Sequence, residues 1–385
     1  MSDATSPAGS PAFVSTKTFE PQPPPAATTG VLGWLKKNLF SSVTNSILTV
    51  LAVLLVIWVL PGVLRFMIFD AVWTGTDRNA CLEANVGRHV GACWPFVETR
   101  LQYFIYGQYP VDERWRVNLT GLLAAIGVLW LLWPRIGAKG WGILYFFVVF
   151  PLLAFWLLVG GFFGLVHVPT NLWGGILVTL VIAVVGIVAS LPLGVLLALG
   201  RRSSMPIART ISVMYIEFWR GVPLITVLFM ANVMLPLFLP EGWRPDSLLR
   251  VLVGVALFWS AYMAEVVRGG LQAIPKGQYE GAQALGLNYS YMLIFIILPQ
   301  ALRLVIPSIV NTFIALFKDT TLVAIVGIFD FLKTIEASIP DPNWATPVTY
   351  YTGYAFAAIF FWICCFSMSR YSQGLERRLD TGYKR

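Results

Sequence analysis

Leu172-WGGILVTLVIAVVGIVASLPLGVLLA-Leu199 holds no charged side chain from end to end. As a helix rising 1.5 Å per residue, about twenty such residues cross the roughly 30 Å hydrocarbon core of a bilayer. Arg201 and Arg202 follow at once, cations of the kind that mark a cytoplasmic helix end. The stretch has company. Apolar runs of similar length extend from about Val43 to Ile68, Val117 to Trp133, Gly140 to Val166, Ile211 to Leu239, Leu248 to Val267, Tyr291 to Phe317 and Tyr350 to Met368. The reading is an all-α, polytopic membrane protein with about eight transmembrane helices.

Composition agrees. The 385 residues are 57% hydrophobic, 14% aromatic and only 12% charged, about half the roughly 25% charge of a soluble domain. Mean hydropathy is +0.73. Two histidines, nineteen acids and four cysteines leave little material for a metal cluster or a catalytic dyad. No G-x-x-x-x-G-K-[ST] stretch is present, so ATP has no P-loop to bind on this chain. The +8 charge falls in loops between spans rather than in a basic stripe interleaved with aromatics, which argues against nucleic acid. No catalytic, metal or cofactor site is expected.

Residues 1–35 are rich in Pro, Ser, Thr and Ala and read as a disordered cytoplasmic tail. A signal peptide's basic start, short apolar core and cleavage site are missing. Lys36/Lys37, Arg135/Lys139, Arg201/Arg202/Arg209, Arg268/Lys276 and Arg370/Arg377/Arg378 all fall on one side if every span crosses. Both termini are then cytoplasmic. Region 36–170 holds three spans with an outer, periplasmic segment 70–116, and region 171–380 holds the remaining five. Cys81 and Cys93 share the outer segment, where an oxidising exterior favours a disulfide over two free thiols. Cys364 and Cys365 read as small packing residues inside the last span.

One stretch is not explained by lipid. Between the sixth and seventh spans runs Arg268-GGLQAIPKGQY-Glu280, then GAQALGLNYSYMLIFIILPQ. Pro275 and Gly277 set a turn, and Glu280 opens a helical turn kept thin by Gly281, Ala282 and Ala284. Gly286 suits a bend out of that turn, since glycine tolerates the left-handed conformation of a helix end. This compact projection has the form of a docking element, with an ordinary loop as the plainer alternative.

Glu280-Gly281-Ala282, then Gly286, then Ile296, Leu298 and Pro299 resemble the EAA motif, E-A-A-x3-G-x9-I-x-L-P, of ATP-binding-cassette importer permeases. Gly281 stands where that motif has its first alanine. Ile216-EFWRGVP-Leu224, Ala261-YMAEVVR-Gly269, Asn311-TFIALFKDTT-Leu322 and Leu375-ERR-Leu379 are similar to polar amino-acid permeases of the histidine/glutamine type. The three preceding spans resemble the M-type permease subunit of a general L-amino-acid importer.

That resemblance implies a five-helix type I importer core in region 171–380, with 268–291 as the coupling loop. It also implies two ATPase subunits below, a second and distinct permease homologue alongside, and a periplasmic substrate-binding protein above. L-amino acids would then cross the bacterial inner membrane, and ATP would act on the partner subunits. ATP-driven closure of the ATPases would move the docked loops inward and open the spans outward.

Charges inside spans cost about 2.5–3.5 kcal/mol each at mid-depth, so each needs a reason. Arg220 precedes Gly221 and Pro223, where the helix breaks or kinks. It serves either as a cation for a substrate carboxylate or as an interfacial arginine reaching lipid phosphates. Glu265 and Arg268 share a helix face and pair, as part of an inner gate or as a structural ion pair. Pro299, Arg303, Pro307, Ser308 and Asn311 interrupt the seventh span, which marks it as lining the pathway, with Arg303 and Asn311 as polar contacts or as interhelical hydrogen bonders. Lys318 and Asp319 fall near its outer end, for docking, outer gating or plain solvation. Gly174, Gly175, Gly186 and Gly194 read as close helix packing.

Two other classes fit the sequence less well. An ion- or proton-coupled secondary transporter calls for acidic residues at mid-depth, often in two related halves; here they are scarce. A membrane-embedded enzyme calls for a nucleophile–base or metal constellation, which this sequence lacks.

Overall fold

The computed structural model describes residues 30–379 apart from Pro134, Phe162 and Glu241. Residues 30–69 form one unit and 70–379 another. Most of the tail assigned to 1–35 lies outside the described residues. Its last part is helical, as the beginning of α1 (Gly30–Asn38). Val31, Trp34 and Leu35 recur at helical spacing, and Lys36 and Lys37 complement the dipole in the last turn. Composition had masked this short helix. α2 (Val43–Phe69) follows, its start capped by Ser42, whose Oγ accepts from the Asn45 N–H at 3.2 Å.

The second unit consists of α3 (Trp94–Tyr106), α4 (Val111–Leu132), α5 (Lys139–Val159), α6 (Gly175–Arg201), α7 (Pro206–Gly221), α8 (Leu224–Phe238), α9 (Ser247–Ala273), α10 (Lys276–Ala284), α11 (Tyr289–Leu304), α12 (Ile306–Val326), α13 (Phe331–Ser338) and α14 (Pro347–Leu379). No strand occurs among the described residues. Among the described residues, seven helices are long and apolar enough to cross a membrane, and eight crossings result if α7 and α8, which meet at 101°, count as one span.

Several spans differ in extent from the sequence reading, the third, fifth, seventh and eighth among them. The third span stops at Val159 rather than Val166, because Gly160 and Gly161 take positive φ angles of 69° and 83°. The fifth is two helices joined through extended Val222 (φ −111°, ψ 136°). Pro223 lacks the N–H that would have continued the ladder. The seventh breaks at Val305, two residues before Pro307, and its second half runs on to Val326. The eighth extends beyond the apolar core at both ends, to Pro347 and Leu379.

α6 and α9 form the centre. Gly186 lies against Val255, and Gly194 against Met263 and Ala264, so the two helices run parallel at a constant register. A Cβ at Gly194 would stand 2.7 Å from Met263 Cβ, so only glycine permits this approach. α6 has 27 residues, which puts its two ends about 40 Å apart.

At the Gly175 end, the segment after Asp70 folds over the bundle. Cys81 and Cys93 are disulfide-bonded, with Cα atoms 5.8 Å apart. The Cys93 N–H donates to Thr352 Oγ1 at 2.9 Å, and Arg100 pairs with Asp341. The Gly175 N–H donates to Thr334 Oγ1 at 3.1 Å, and the Phe331 N–H to Thr179 Oγ1 at 2.9 Å. This disulfide end therefore holds α3, α6, α13 and α14 together.

Asp330 caps α13, accepting from the Leu332 and Lys333 N–H groups at 3.2 and 3.0 Å. It is wholly buried, and burial pushes its carboxyl up to about 6, with nearby Glu336 adding to the rise. A raised carboxyl favours folding as the proton binds, so its contribution grows as pH falls from about 6 toward the unfolded value near 4. Asp330→Asn keeps an acceptor for the cap and removes the titration. Thermal unfolding of detergent-solubilised protein at pH 7 and pH 4.5 should show the wild type gaining up to about 2 kcal/mol relative to the variant at the lower pH.

Candidate functional site

The far end of α6 and α9 carries the projection read from the sequence. α9 runs without interruption to Ala273, so the first residues assigned to the 268–291 loop, Arg268 included, are helix; the loop proper begins at Ile274. α10 follows. Its Schellman ending is complete: the Leu287 N–H donates to Ala282 O at 3.2 Å and the Gly286 N–H to Gln283 O at 2.9 Å. Gly286 sits at φ 72°, the left-handed position that this ending needs.

Ala282 is buried (2% exposed) in a cluster with Met263, Val267, Leu271, Met292 and Ile297. Glu280, Gly281, Ala284 and Gly286 face outward. Leu285 is 78% exposed, a large apolar side chain at the tip with nothing from its own chain to cover it. Gln300 Nε2 donates to Gln278 Oε1 at 3.1 Å and so ties α10 to α11. The projection is one short, thin helix whose buried side chain is Ala282, with Tyr279 and Leu287 packed beside it, and it presents its other faces. Leu285 was not singled out in the sequence, although a leucine between two small residues in a polar helix was the available signal.

Above it lies a cluster of charges. The Glu265 carboxylate is 3.0 Å from Arg201 Nη1, 2.7 Å from Arg268 Nη2 and 3.8 Å from Arg220 Nη1. Arg201 Nη1 also donates to Glu217 Oε1 at 2.8 Å. Arg220 lies over the Tyr262 ring, 5.8 Å from its centroid. One carboxylate thus joins the ends of α6, α7 and α9. Of the two readings for Arg220, the geometry adds a third: it is an ion-pair partner of Glu265. Arg201 escaped notice because a cation after an apolar run reads as a stop, and its partner is remote in sequence.

The residues assigned to the seventh span separate. Pro299 is exposed within α11, and Arg303 lies in that helix's last turn beside the Val305 break. Asn311 belongs to α12, where Ser308, Asn311 and Lys318 are exposed in the single chain at spacings of one helical face. Leu316 sits over Gly186, well inside α6. Lys318 and Asp319, one half-turn on, therefore lie within the crossing rather than at its outer end. The span was expected to finish at Phe317, but its 3-10 continuation, Thr320–Val326, adds two turns beyond them.

A bundle of crossing helices with a polar helix face at membrane depth and a bare knuckle at one end defines a membrane-transport subunit. The family described as binding-protein-dependent transport system inner membrane component matches residues 190–381. The chain is 52% identical over 362 residues to the inner membrane amino-acid ABC transporter permease protein YhdY of Escherichia coli, covering 94% of this chain and 96% of that one. It is 40% identical over 437 aligned positions to the glutamate/glutamine/aspartate/asparagine transport system permease protein BztC of Rhodobacter capsulatus, covering 97% and 99%. A crystal structure of an amino acid ABC transporter with histidines aligns at 27% identity and TM-score 0.47, over 53% of this chain and 92% of that one.

The chain belongs to the amino-acid ABC transporter permeases, multi-pass proteins of the inner membrane. Permeases of this family work with an ATPase and a substrate-binding protein.

Gly281 and Gly286 give a paired test of the knuckle. No atom lies within 4 Å of a Cβ added at either position, so both alanine variants probe backbone alone. Gly281→Ala should stabilise α10 by about 1 kcal/mol. Gly286→Ala, at φ 72°, should destabilise it by about 1–2 kcal/mol. Hydrogen exchange of residues 276–287 should slow in the first variant and quicken in the second.

Proposed function

We propose that this chain is the membrane-spanning half of an importer for L-amino acids, and that separate subunits hydrolyse the ATP. Two ATPases, a second and distinct permease homologue and a periplasmic binding protein complete the assembly, and this chain itself holds no cofactor. Residues 171–380 serve as the type I core and 36–170 as an added three-helix region. Both termini face the cytoplasm, which puts the knuckle inside and the disulfide end in the periplasm.

The observation that carries the reading is the placement of α10. Its outward faces are free, its tip bears the uncovered Leu285, and it follows α9 after only Ile274 and Pro275. A groove on an ATPase that accepts Glu280, Gly281, Ala284 and Leu285 would push on α9 directly. The Glu265 cluster would carry that displacement to α6 and α7 as an inner gate. Ser308, Asn311 and Lys318 on α12 line the pathway in this reading, since polar side chains facing outward at membrane depth belong against a partner or a water-filled route. Lys318 supplies a positive charge for a substrate carboxylate, and Asp319 beside it a negative one for an ammonium. Arg303 and Pro299 stand at the inner approach to that face. The relative from R. capsulatus is named for glutamate, glutamine, aspartate and asparagine, a substrate set that fits a lining with Lys318 and Asn311.

Glu280→Lys reverses the charge at the docking face without touching the buried side of α10. The variant should insert and assemble in the membrane at wild-type level, while uptake of radiolabelled L-amino acids by the reconstituted complex falls to background. Normal uptake by that variant would remove the coupling role from the knuckle.

A further inference from the structure

α8 carries one amide in an otherwise largely apolar run. Asn232 lies in a π turn, Met230–Met234, a form that often accompanies functional positions inside helices. Its Nδ2 donates to Val326 O, at the end of α12, at 2.9 Å. Its Oδ1 accepts from Ser247 Oγ, at the start of α9, at 2.7 Å. Its backbone carbonyl accepts from Arg250 Nη1 at 2.6 Å. A main-chain carbonyl only accepts, so the amide must turn its NH₂ toward Val326 and its oxygen toward Ser247. One residue thus closes three elements together at the disulfide end of the bundle.

The opposite end has a counterpart. Arg220, the residue before the break between α7 and α8, is held to α9 through Glu265. Each half of the bent pair is therefore tied to the same rod, α7 toward the knuckle end and α8 toward the disulfide end. Between the ties the chain bends by 101° where only extended Val222 and Pro223 separate the two helices. A bend of that kind absorbs backbone rotation in few residues, and motion of one half about it must loosen one tie.

We propose that Asn232 is the latch of the outer gate. It holds α8 against α9 and against the pathway helix α12 while the periplasmic end is closed, and its two side-chain hydrogen bonds part when that end opens. The amide is a positioning residue that acts through α12; it does not itself bind substrate. Hydrogen bonds suit this task because water reaching the opened end satisfies the same groups, so the net strength of the latch is small and the step reversible. A leucine at this site would fill the space equally well and give no such switch. The inference rests on the permease reading above, in which outward opening accompanies ATP-driven closure of the ATPases.

The test uses the whole complex in proteoliposomes, with ATPase activity measured with and without substrate-loaded binding protein, and uptake measured in parallel. In Asn232→Ala the outer end opens more readily, so hydrolysis without binding protein should rise about fivefold, the factor expected for about one net hydrogen bond lost, and amino acid taken up per ATP should fall. Ser247→Ala removes one of the two side-chain bonds and should move both quantities in the same direction by less. It also serves if Asn232→Ala does not assemble. If wild-type complex couples hydrolysis to binding protein but both quantities stay at wild-type values in the variants, or only thermal stability drops, the latch is overturned and the permease reading stands. A wild-type chain that retains no ATPase overturns both.

Discussion

The contact between α6 and α9 is the constraint from which the rest of the bundle follows. Inside a bilayer, apolar side chains gain little by leaving lipid for protein, so helices associate through close approach and van der Waals contact. Gly186 and Gly194 provide that approach at two levels, and Gly270 repeats it against the Ala301 carbonyl, where an added Cβ would fall 2.5 Å from the oxygen. Because two glycines meet α9 at one register, α6 and α9 move as a unit. The knuckle hangs from one end of that unit and the disulfide segment is hydrogen-bonded to the other, which couples two faces of a membrane through a single stiff pair.

Stiffness at the centre makes the breaks elsewhere meaningful. Proline closes the α7–α8 bend and sits just beyond the α11–α12 break, so both discontinuities are written into the covalent chain and do not depend on which conformation the protein holds. The polar groups cluster beside these same places: Arg220 and Glu265 at the first bend, Arg303 and Ser308 around the second. A broken helix frees carbonyls and N–H groups that lipid cannot satisfy. Polar side chains nearby lower the cost of the break, and the break in turn gives them a place to sit within the membrane.

Most of the architecture was legible because lipid is a severe and simple solvent. Length and hydropathy found every crossing, and the short motif from Glu280 to Pro299 identified the one element that lipid could not account for. Where the reading failed, the missing information was of a different kind. Val166 looked as apolar as Val159, but Gly160 and Gly161 decided the helix end through φ. Phe317 looked like a terminus because Lys318 and Asp319 are charged, whereas in the fold they sit on a helix that continues to Val326. Arg201 and Glu265 became partners through the parallel packing of α6 and α9, which no local pattern encodes. Hydropathy measures what a residue would rather be next to, and says nothing of which neighbour it receives.

The distribution of charge along the α6–α9 pair carries the argument one step further. At the knuckle end the cluster holds three arginines against Glu217 and Glu265, a surplus of one positive charge that suits a position beside the cytoplasmic headgroups. Around Asn232 the ties are neutral amide, hydroxyl and carbonyl bonds, apart from Arg250 at the Asn232 carbonyl. An ion cluster in low dielectric resists separation more strongly than neutral hydrogen bonds do. The two ties that bracket the α7–α8 bend thus differ in kind, ion pairs around one carboxylate on the α7 side and mainly neutral hydrogen bonds around one amide on the α8 side. In the proposed function, such a difference fits a machine whose inner end is driven by a docked motor and whose outer end responds to that motion without one of its own.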